Sequence, residues 1–401
     1  MDYCFICNES EWEAMGNEIS FDETNRFNEQ IKLLHENNEL DTIVNVINTF
    51  NKLRTKIRRK LVEYHHRNCH KCPRCNRVST YRDAKRGKFA NNRVASDHDF
   101  TEAYKEVLNL QEHQFNVLER LMNCSSEITK IHEMIGMERI KDEFAKVLKY
   151  LASQEEERSE MMHIGVYGPP GHGKTEIARL LGKAFAKSGL LENNKFVLAR
   201  RSDLIGKYCG HTAKNTTKMF DEAQGGVIFI DEIYSLGNTE QRDVFTGECI
   251  NTINQLLSER TDTLCIIAGY EDDAEKCFFS YNKGLRRRFP FSFVIKPYTS
   301  EQLVEIFSKL AGEQGWSVAD DALLVSDIEG ERETIFDNAG GDMSNLLTKC
   351  IICHYQNNFL SANGEDKQLT RKDVEDGLAD YRKNKKSKDD KDSKPPFGMY
   401  S

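Results

Sequence analysis

Residues 168–175 read GPPGHGKT, and they constrain the fold of this 401-residue chain more than any other segment. They match the pattern GxxxxGK[ST] and stand between a strand-like apolar run, residues 163–167, and a helix-like run, residues 176–187. Glycines let successive backbone N–H groups turn inward around phosphate oxygens, and the following helix presents its positive end to them. The pattern therefore predicts a nucleoside triphosphate site. The alternative is a glycine turn that happens to precede a helix.

Within this loop, Lys174 is expected to reach the β- and γ-phosphates, and Thr175 is expected to ligate Mg²⁺. The residues expected to contact ATP and its metal are Gly168, Pro169, Pro170, Gly171, His172, Gly173, Lys174, Thr175, Glu176 and Asp231.

A second motif supplies carboxylates. Residues 227–230 read VIFI, an apolar strand that ends in Asp231 and Glu232. Because the chain bends where a strand ends, Asp231 can hold Mg²⁺ through water while Glu232 polarises the attacking water. We predict both as catalytic residues together with Lys174. The alternative is an acidic pair that only caps a core strand.

Strand-like and helix-like segments alternate between residues 163 and 295. This alternation requires right-handed crossovers and predicts an α/β fold, a parallel sheet with helices on both faces. After Pro297 only helical patterns remain, and residues 299–302 form a capping-box pattern. The expected domains are a helical-hairpin zinc domain at 1–96, a helical linker at 97–130, an α/β ATPase subdomain at 131–298, a helical lid at 299–382 and a disordered tail at 383–401.

The N-terminal region carries two CxxC pairs, Cys4 with Cys7 and Cys72 with Cys75, and each pair is followed by Asn. Apolar residues at helical spacing between the pairs predict two helices broken near residues 36–38. Such a hairpin would bring the pairs together as a tetrahedral, structural Zn²⁺ site, for which Cys69 and the histidines at 65, 66 and 70 are spare ligands; unliganded thiols are the alternative. A further CxxC at 350–353 lies in a helical pattern and is expected to be core.

Charge is unevenly distributed in this region. Residues 1–51 carry eleven Asp/Glu against two Lys/Arg, whereas residues 52–93 carry fifteen Lys/Arg against two Asp/Glu. The basic segment 52–93 could bind nucleic acid by neutralising phosphates. It could equally pack against the acidic residues before it, which we favour slightly because that packing requires no partner.

No apolar run approaches the roughly 20 residues needed to cross a bilayer, and the N-terminus lacks the features of a signal peptide. We therefore expect a soluble, intracellular, cytoplasmic protein without membrane insertion.

Together with their flanks, these motifs resemble the AAA+ ATPases, and in particular the subgroup of red-type Rubisco activase, the type VII secretion ATPases and a related sporulation ATPase. The resemblance spans residues 131–382 and does not cover residues 1–130. The segments that carry it are Met134–Lys141, Ser202–Thr212, Gly225–Tyr234 and Ala268–Tyr270. It implies a P-loop NTPase fold and a homo-hexameric ring in which the neighbouring subunit completes each active site.

The resemblance also implies an arginine finger within Gly284–Phe289. Charge that spreads over the γ-phosphoryl oxygens needs a guanidinium from outside the loop, and we favour Arg288, with Arg286 second. The alternative is a solvated basic patch.

Tyr208 occupies the position from which the pore loop of such proteins projects an aromatic that grips an extended polypeptide. The alternative there is a buried tyrosine that packs the strand–helix connection.

Two segments depart from the usual AAA+ pattern. Gly269 and Tyr270 replace the polar sensor that most members carry after the fourth strand, as they do in the subgroup. In the lid, Gly340–Asn345 offers no arginine where the subgroup usually supplies its second sensor. We therefore expect weaker nucleotide-driven closure of the lid.

The function expected from these features is a Mg·ATP-dependent, ring-forming motor that remodels an unknown protein client. One alternative is a nucleotide-gated assembly scaffold with slow hydrolysis, which the departure in the lid motivates. Another is a nucleic-acid-dependent ATPase loaded through the basic segment. Remodelling of Rubisco does not follow, because the N-terminal region is foreign to that activase.

Overall fold

The computed structural model describes residues 21–37, 39–68, 101–153, 163–208, 210–237, 244–282, 284–359 and 367–392. None of the helices in these ranges is long and apolar enough to cross a membrane. The chain forms two compact units. The helical unit comprises Met1–His132, Lys141–Arg158 and Lys183–Asn194, and the sheet-containing unit comprises Glu133–Ile140, Ser159–Gly182 and Lys195–Ser401.

Amphipathic helices build the helical unit. Their bounds are α1 Phe21–Glu36, α2 Leu40–Asn68, α3 Thr101–Val107, α4 Glu112–Asn123, α5 Ser125–His132 and α6 Glu138–Ala152. Helices α1 and α2 form the predicted hairpin, with its break between residues 36 and 40. Phe27 of α1 stacks on Phe50 of α2 with 5.7 Å between ring centroids, and Phe115 of α4 meets Phe50 edge-on at 6.1 Å. Burial of these large rings stabilises the hairpin against α4.

The acidic and basic segments contact each other within this hairpin. Lys56 of α2 forms an ion pair with Glu23 of α1. Arg54 lies over the rings of Phe50 and Tyr104, at 5.4 and 5.2 Å. These contacts favour intramolecular packing of the part of the basic segment that the structure describes.

The four predicted zinc ligands, Cys4, Cys7, Cys72 and Cys75, lie outside the described residues. Among the residues that the structure describes, no group of three or more His, Cys, Asp or Glu side chains could hold a metal ion. The zinc site therefore stays a prediction.

Residues 141–158 and 183–194 belong to the helical unit, although they fall inside the subdomain expected at 131–298. A partly buried ion pair is one contact that holds the second segment to the helical unit. Lys187, in the π-helical segment Ala186–Leu190, places its Nζ 2.7 Å from Oε1 of Glu127, whose side chain is only 5% exposed. Burial alone would raise the pKa of Glu127, but hydrogen bonds from Lys187 and Ser126 outweigh it, and the pKa lies below its ordinary value.

Replacing Lys187 with methionine is expected to destabilise the protein by roughly 1 to 3 kcal/mol, because it leaves the buried Glu127 carboxylate without its cation. A carboxylate whose pKa is lowered by folding stabilises the fold above its unfolded pKa and loses that contribution as pH falls through the folded pKa. The difference between wild type and variant should therefore shrink below about pH 4. Chemical denaturation across pH measures it. Lys183→Met, at an exposed position one turn earlier, is the matched control, and an equal loss in that variant would contradict the role of the ion pair.

The sheet-containing unit is built on five parallel strands. The strands are β1 Ile164–Tyr167, β2 Phe196–Ala199, β3 Val227–Ile230, β4 Leu264–Gly269 and β5 Phe291–Val294, in the spatial order β2-β3-β4-β1-β5. The helices between them are α7 Lys174–Phe185, α8 Arg201–Leu204, α9 His211–Glu222, α10 Val244–Glu259 and α11 Glu271–Cys277. Strands β1, β3 and β4 are buried throughout, as a parallel sheet covered on both faces requires. The predicted α/β architecture is confirmed.

The lid follows β5. Its elements are α12 Ser300–Glu313, β6 Ser317–Val318, α13 Gly340–Asn357, β7 Gln368–Leu369 and α14 Arg371–Asp392. The capping box is confirmed, because Gln302 N donates to Thr299 Oγ1 at 3.3 Å and Thr299 N donates to Gln302 Oε1 at 2.9 Å. The lid is not purely helical, since β6 and β7 pair in parallel; two residues each are too few to show a strand pattern in the sequence. Cys350 and Cys353 are buried on α13, as expected.

Helix α14 continues to Asp392, past residue 383 at which a disordered tail was expected. Lys385 explains the continuation in part: its Nζ lies 2.5 Å from Asp337 Oδ1 and 3.1 Å from Asp342 Oδ2. These ion pairs anchor the helix to residues in and just before α13.

Candidate functional site

The loop between β1 and α7 has the backbone that a phosphate site requires. Gly171 and Gly173 have φ values of 70° and 81°, in the left-handed region that glycine adopts without strain. A Cβ atom at Gly171 would overlap the carbonyl oxygen of Asn338, and one at Gly168 would lie 2.8 Å from Cβ of Ile295. Helix α7 begins directly at the loop, so its free N–H groups and positive end face the same place.

Lys174 lies at the base of this loop. Its Nζ donates to the carbonyl oxygens of Gly168 at 3.0 Å and Pro169 at 2.8 Å, and it lies 5.3 Å from the ring centroid of Tyr270. Burial lowers the pKa of Lys174, while the two carboxylates after β3 act in the opposite direction. An ammonium held by carbonyls and an aromatic ring is well placed for phosphate oxygens to compete for it.

The carboxylates after β3 meet α7 at the same edge of the sheet. Thr175 Oγ1 donates to Asp231 Oδ2 at 2.9 Å, and Glu232 N donates to Asp231 Oδ1 at 3.0 Å. Glu232 itself has left-handed backbone angles, φ 51° and ψ 50°, which are rare for a residue with a side chain and recur at active sites. A hydroxyl and a carboxylate brought together in this way are the oxygen ligands that Mg²⁺ prefers. The donor set fits that ion.

Two tyrosines border the carboxylates. The rings of Tyr234 and Tyr270 lie 5.3 Å apart. Burial, assisted by the charge of Glu232, raises the pKa of Tyr234 to about 12, so its hydroxyl stays protonated at neutral pH. Sequence analysis assigned no role to Tyr234; its position two residues after Glu232 was the available signal.

A cleft of about 290 Å³ opens beside the loop. It is lined by Pro169, His172, Pro297, Tyr298, Leu303, Arg332, Glu333, Phe336, Asp337 and Ala339. The His172 ring, 4% exposed, stacks on Tyr298 at 5.0 Å and 8°. Burial lowers the pKa of His172, so the ring is neutral at pH 7. Sequence analysis listed His172 only as one residue of the phosphate-binding loop and did not predict its stack on Tyr298.

The arginine triplet forms the 3₁₀ turn Arg286–Arg288 just before β5. Arg288 is half-buried and donates from Nε to Asn254 Oδ1 at 3.3 Å, so it is not a free surface side chain. Arg286 is more exposed and lies 3.1 Å from Glu275. Arg287 is exposed, and no ion pair joins it to the residues that the structure describes. The assignment of the finger stays a prediction.

The triplet and the phosphate-binding loop lie at opposite edges of the sheet. Strands β1 and β5 run in parallel, with Ile164 beside Phe291 and Tyr167 beside Val294. The loop follows the end of β1, whereas the arginines precede the start of β5. The chain's own arginine turn is therefore separated from its own loop by the length of the strands.

Tyr208 lies in the connection between α8 and α9. Its side chain is 69% exposed, and its ring meets His211 edge-on at 5.5 Å. The alternative of a buried tyrosine that packs the connection is therefore wrong. An exposed aromatic beside a second ring is available to an external partner.

Comparison with known proteins gives a family match and many relatives, including the three that follow. Residues 164–296 match the family described as "ATPase family associated with various cellular activities (AAA)". A cfxQ-like protein, R730, of Acanthamoeba polyphaga mimivirus is 36% identical over 279 residues, which cover 69% of each chain.

Stage V sporulation protein K of Bacillus subtilis is 32% identical over 47% of this chain and 61% of its own length. The chloroplastic ribulose bisphosphate carboxylase/oxygenase activase of Cyanidioschyzon merolae is 33% identical over 48% of this chain and 65% of its own length. The chain thus spans less than two thirds of the last two relatives.

Proposed function

Because the chain belongs to the AAA family of ATPases, we propose that it hydrolyses Mg·ATP within a homo-hexameric ring and uses this reaction to remodel a protein client. The observation that carries the remodelling part is Tyr208, a large aromatic that is 69% exposed in the segment where related rings grip polypeptide. A relative that is named as an activase of another enzyme supports a protein as the client.

Each residue of the site has a distinct task in this proposal. Lys174 and the N-terminus of α7 bind the phosphates, and Thr175 with Asp231 would hold Mg²⁺. The metal, when bound, neutralises charge that develops on the phosphates. Glu232 orients the attacking water and accepts its proton, for which its exposed carboxylate beside Asp231 is suitably placed.

The neighbouring subunit would supply the guanidinium. The arginine turn and the loop lie at opposite ends of two adjacent strands, which supports delivery of the guanidinium by another copy of the chain. Ring assembly satisfies this requirement for every copy at once, because a head-to-tail interface that closes places each arginine turn against the next loop.

Replacing Tyr208 with alanine separates a motor from a nucleotide-gated scaffold. A motor is expected to lose about tenfold or more of its activity on an unfolded model protein such as α-casein, since the aromatic grip is removed. Ring assembly, measured by light scattering, is expected to remain. Tyr150→Ala, which removes another exposed tyrosine on α6, is the matched control.

The readouts are casein-stimulated phosphate release and ATP-dependent crosslinking of casein to the ring. A Tyr208→Ala protein that keeps both at the level of the control would favour the scaffold. The scaffold is the second candidate function because Gly340–Asn345 carries no arginine for nucleotide-driven closure of the lid.

A further inference from the structure

The segment that connects the sheet to the lid touches the phosphate-binding loop at two places. At its start, Ile295 lies so close to Gly168 that a Cβ atom there would be 2.8 Å from Ile295 Cβ. Near its end, the Tyr298 ring stacks on His172 with 5.0 Å between centroids and 8° between planes. Gly168 and His172, the first and fifth residues of the loop, thus both contact the segment that leads into α12.

The His172 ring is fixed within the loop. Its Nδ1 lies 2.7 Å from the carbonyl oxygen of Pro170, and a carbonyl oxygen can only accept, so Nδ1 carries the proton and donates it. The ring is 4% exposed and Tyr298 is 8% exposed. Two nearly parallel rings with centroids this close are in contact across the stack, although both also line the cleft of about 290 Å³, so movement of the imidazole towards Tyr298 displaces that ring.

The lid also contacts the loop directly. The Asn338 carbonyl oxygen occupies the space that a Cβ atom at Gly171 would need. Buried Asp342 accepts from Asn338 N at 2.8 Å, from Tyr381 Oη at 2.6 Å and from Lys385 Nζ at 3.1 Å. These bonds tie the start of α13 to α14, so these two helices can respond to the loop together.

Nucleotide must disturb this arrangement. The Lys174 ammonium donates to two carbonyl oxygens of the loop, and phosphate oxygens compete for that ammonium when they arrive. A shift of those peptide groups is passed to the imidazole through its bond to Pro170 O. Packed elements respond to such small shifts by switching between discrete arrangements.

We propose that the His172–Tyr298 stack couples occupancy of the phosphate-binding loop to movement of the lid, in place of the lid arginine that Gly340–Asn345 lacks. Tyr298 is then a positioning residue that acts through His172. The proposal rests on ATP binding and does not depend on remodelling of a client.

Hydrogen exchange of α12 and α13 tests the proposal in the full-length protein, with and without Mg²⁺ and a non-hydrolysable ATP analogue. Wild type and Tyr298→Phe, which keeps the stack, are expected to gain protection on binding. Tyr298→Leu is expected to bind the analogue within about threefold of wild type, yet to lose most of the gain in protection. Its kcat should fall about tenfold with a smaller change in KM. Tyr298→Leu with the wild-type gain and kcat would overturn the proposal.

A double-mutant cycle adds a second test, and its His172→Ala arm removes the stack without truncating Tyr298, so the proposal stays testable if Tyr298→Leu is poorly folded. His172→Ala, Tyr298→Ala and the double variant are compared by the gain in protection per bound analogue. If the double variant loses no more of the gain in protection than the more affected single variant, the two rings act as a coupled pair. If the fractional losses of the two single variants multiply in the double variant, the proposal is overturned. Tyr355→Leu, which removes a 48% exposed tyrosine of α13, is the matched control and should keep the gain.

Discussion

Glu232→Gln is expected to lower ATP turnover by about 10³-fold while Mg·ATP binding stays within a few-fold of wild type. The amide keeps the size and the hydrogen-bonding shape of the side chain but cannot accept a proton from the attacking water. Loop contacts to the phosphates do not involve Glu232, so affinity should persist. Steady-state phosphate release and titration calorimetry measure the two quantities.

Glu305→Gln is a matched control for this substitution, because it changes an exposed carboxylate on α12 of the lid. It should leave both quantities unchanged. A Glu232→Gln protein with ordinary turnover would exclude Glu232 as the general base. A protein that binds no Mg·ATP at all, although folded, would instead contradict the predicted nucleotide site.

Mixing two inactive variants is expected to restore turnover. Arg288→Ala alone should lose about 10³-fold, as removal of an arginine finger does. In a mixed ring, a subunit with Arg288→Ala retains Glu232, and a neighbour with Glu232→Gln still supplies its arginine. With equal amounts and random assembly, about one site in four is complete, so about a quarter of wild-type activity should return.

The same mixing experiment with Arg286→Ala and Arg287→Ala identifies the arginine that acts between subunits. Only the variant of the finger should be both inactive alone and rescued by the mixture. Arg288 also donates to Asn254. The thermal stability of the Arg288→Ala variant is therefore the control for a loss of activity that is purely structural. Absence of rescue for all three arginines would contradict catalysis shared between subunits.

The nucleotide site was predictable because its signals are local in sequence. The glycines of residues 168–173 and the carboxylates at 231 and 232 each follow an apolar strand, and the ends of parallel strands meet at one edge. The α/β alternation and the capping box at Thr299 were predictable for the same reason.

Contacts between distant positions could not be predicted in this way. The stack of His172 on Tyr298 and the pair of Lys187 with Glu127 join residues 126 and 60 positions apart, and neither has a periodic pattern or a motif. The length of α14 depends on ion pairs of Lys385 with residues near α13. From the sequence alone, Tyr208 could be either a buried packing residue or an exposed aromatic, and its exposure in the structure distinguishes the two.

The arginine turn and the phosphate-binding loop lie at opposite ends of the strands, and this placement makes ATP hydrolysis depend on the concentration of the protein. Under the proposed mechanism, a solitary copy contains every group for binding ATP and lacks one for cleaving it. Dilution alone then silences the enzyme, and a cell could tune its consumption of ATP through synthesis and turnover of the protein, without any inhibitor.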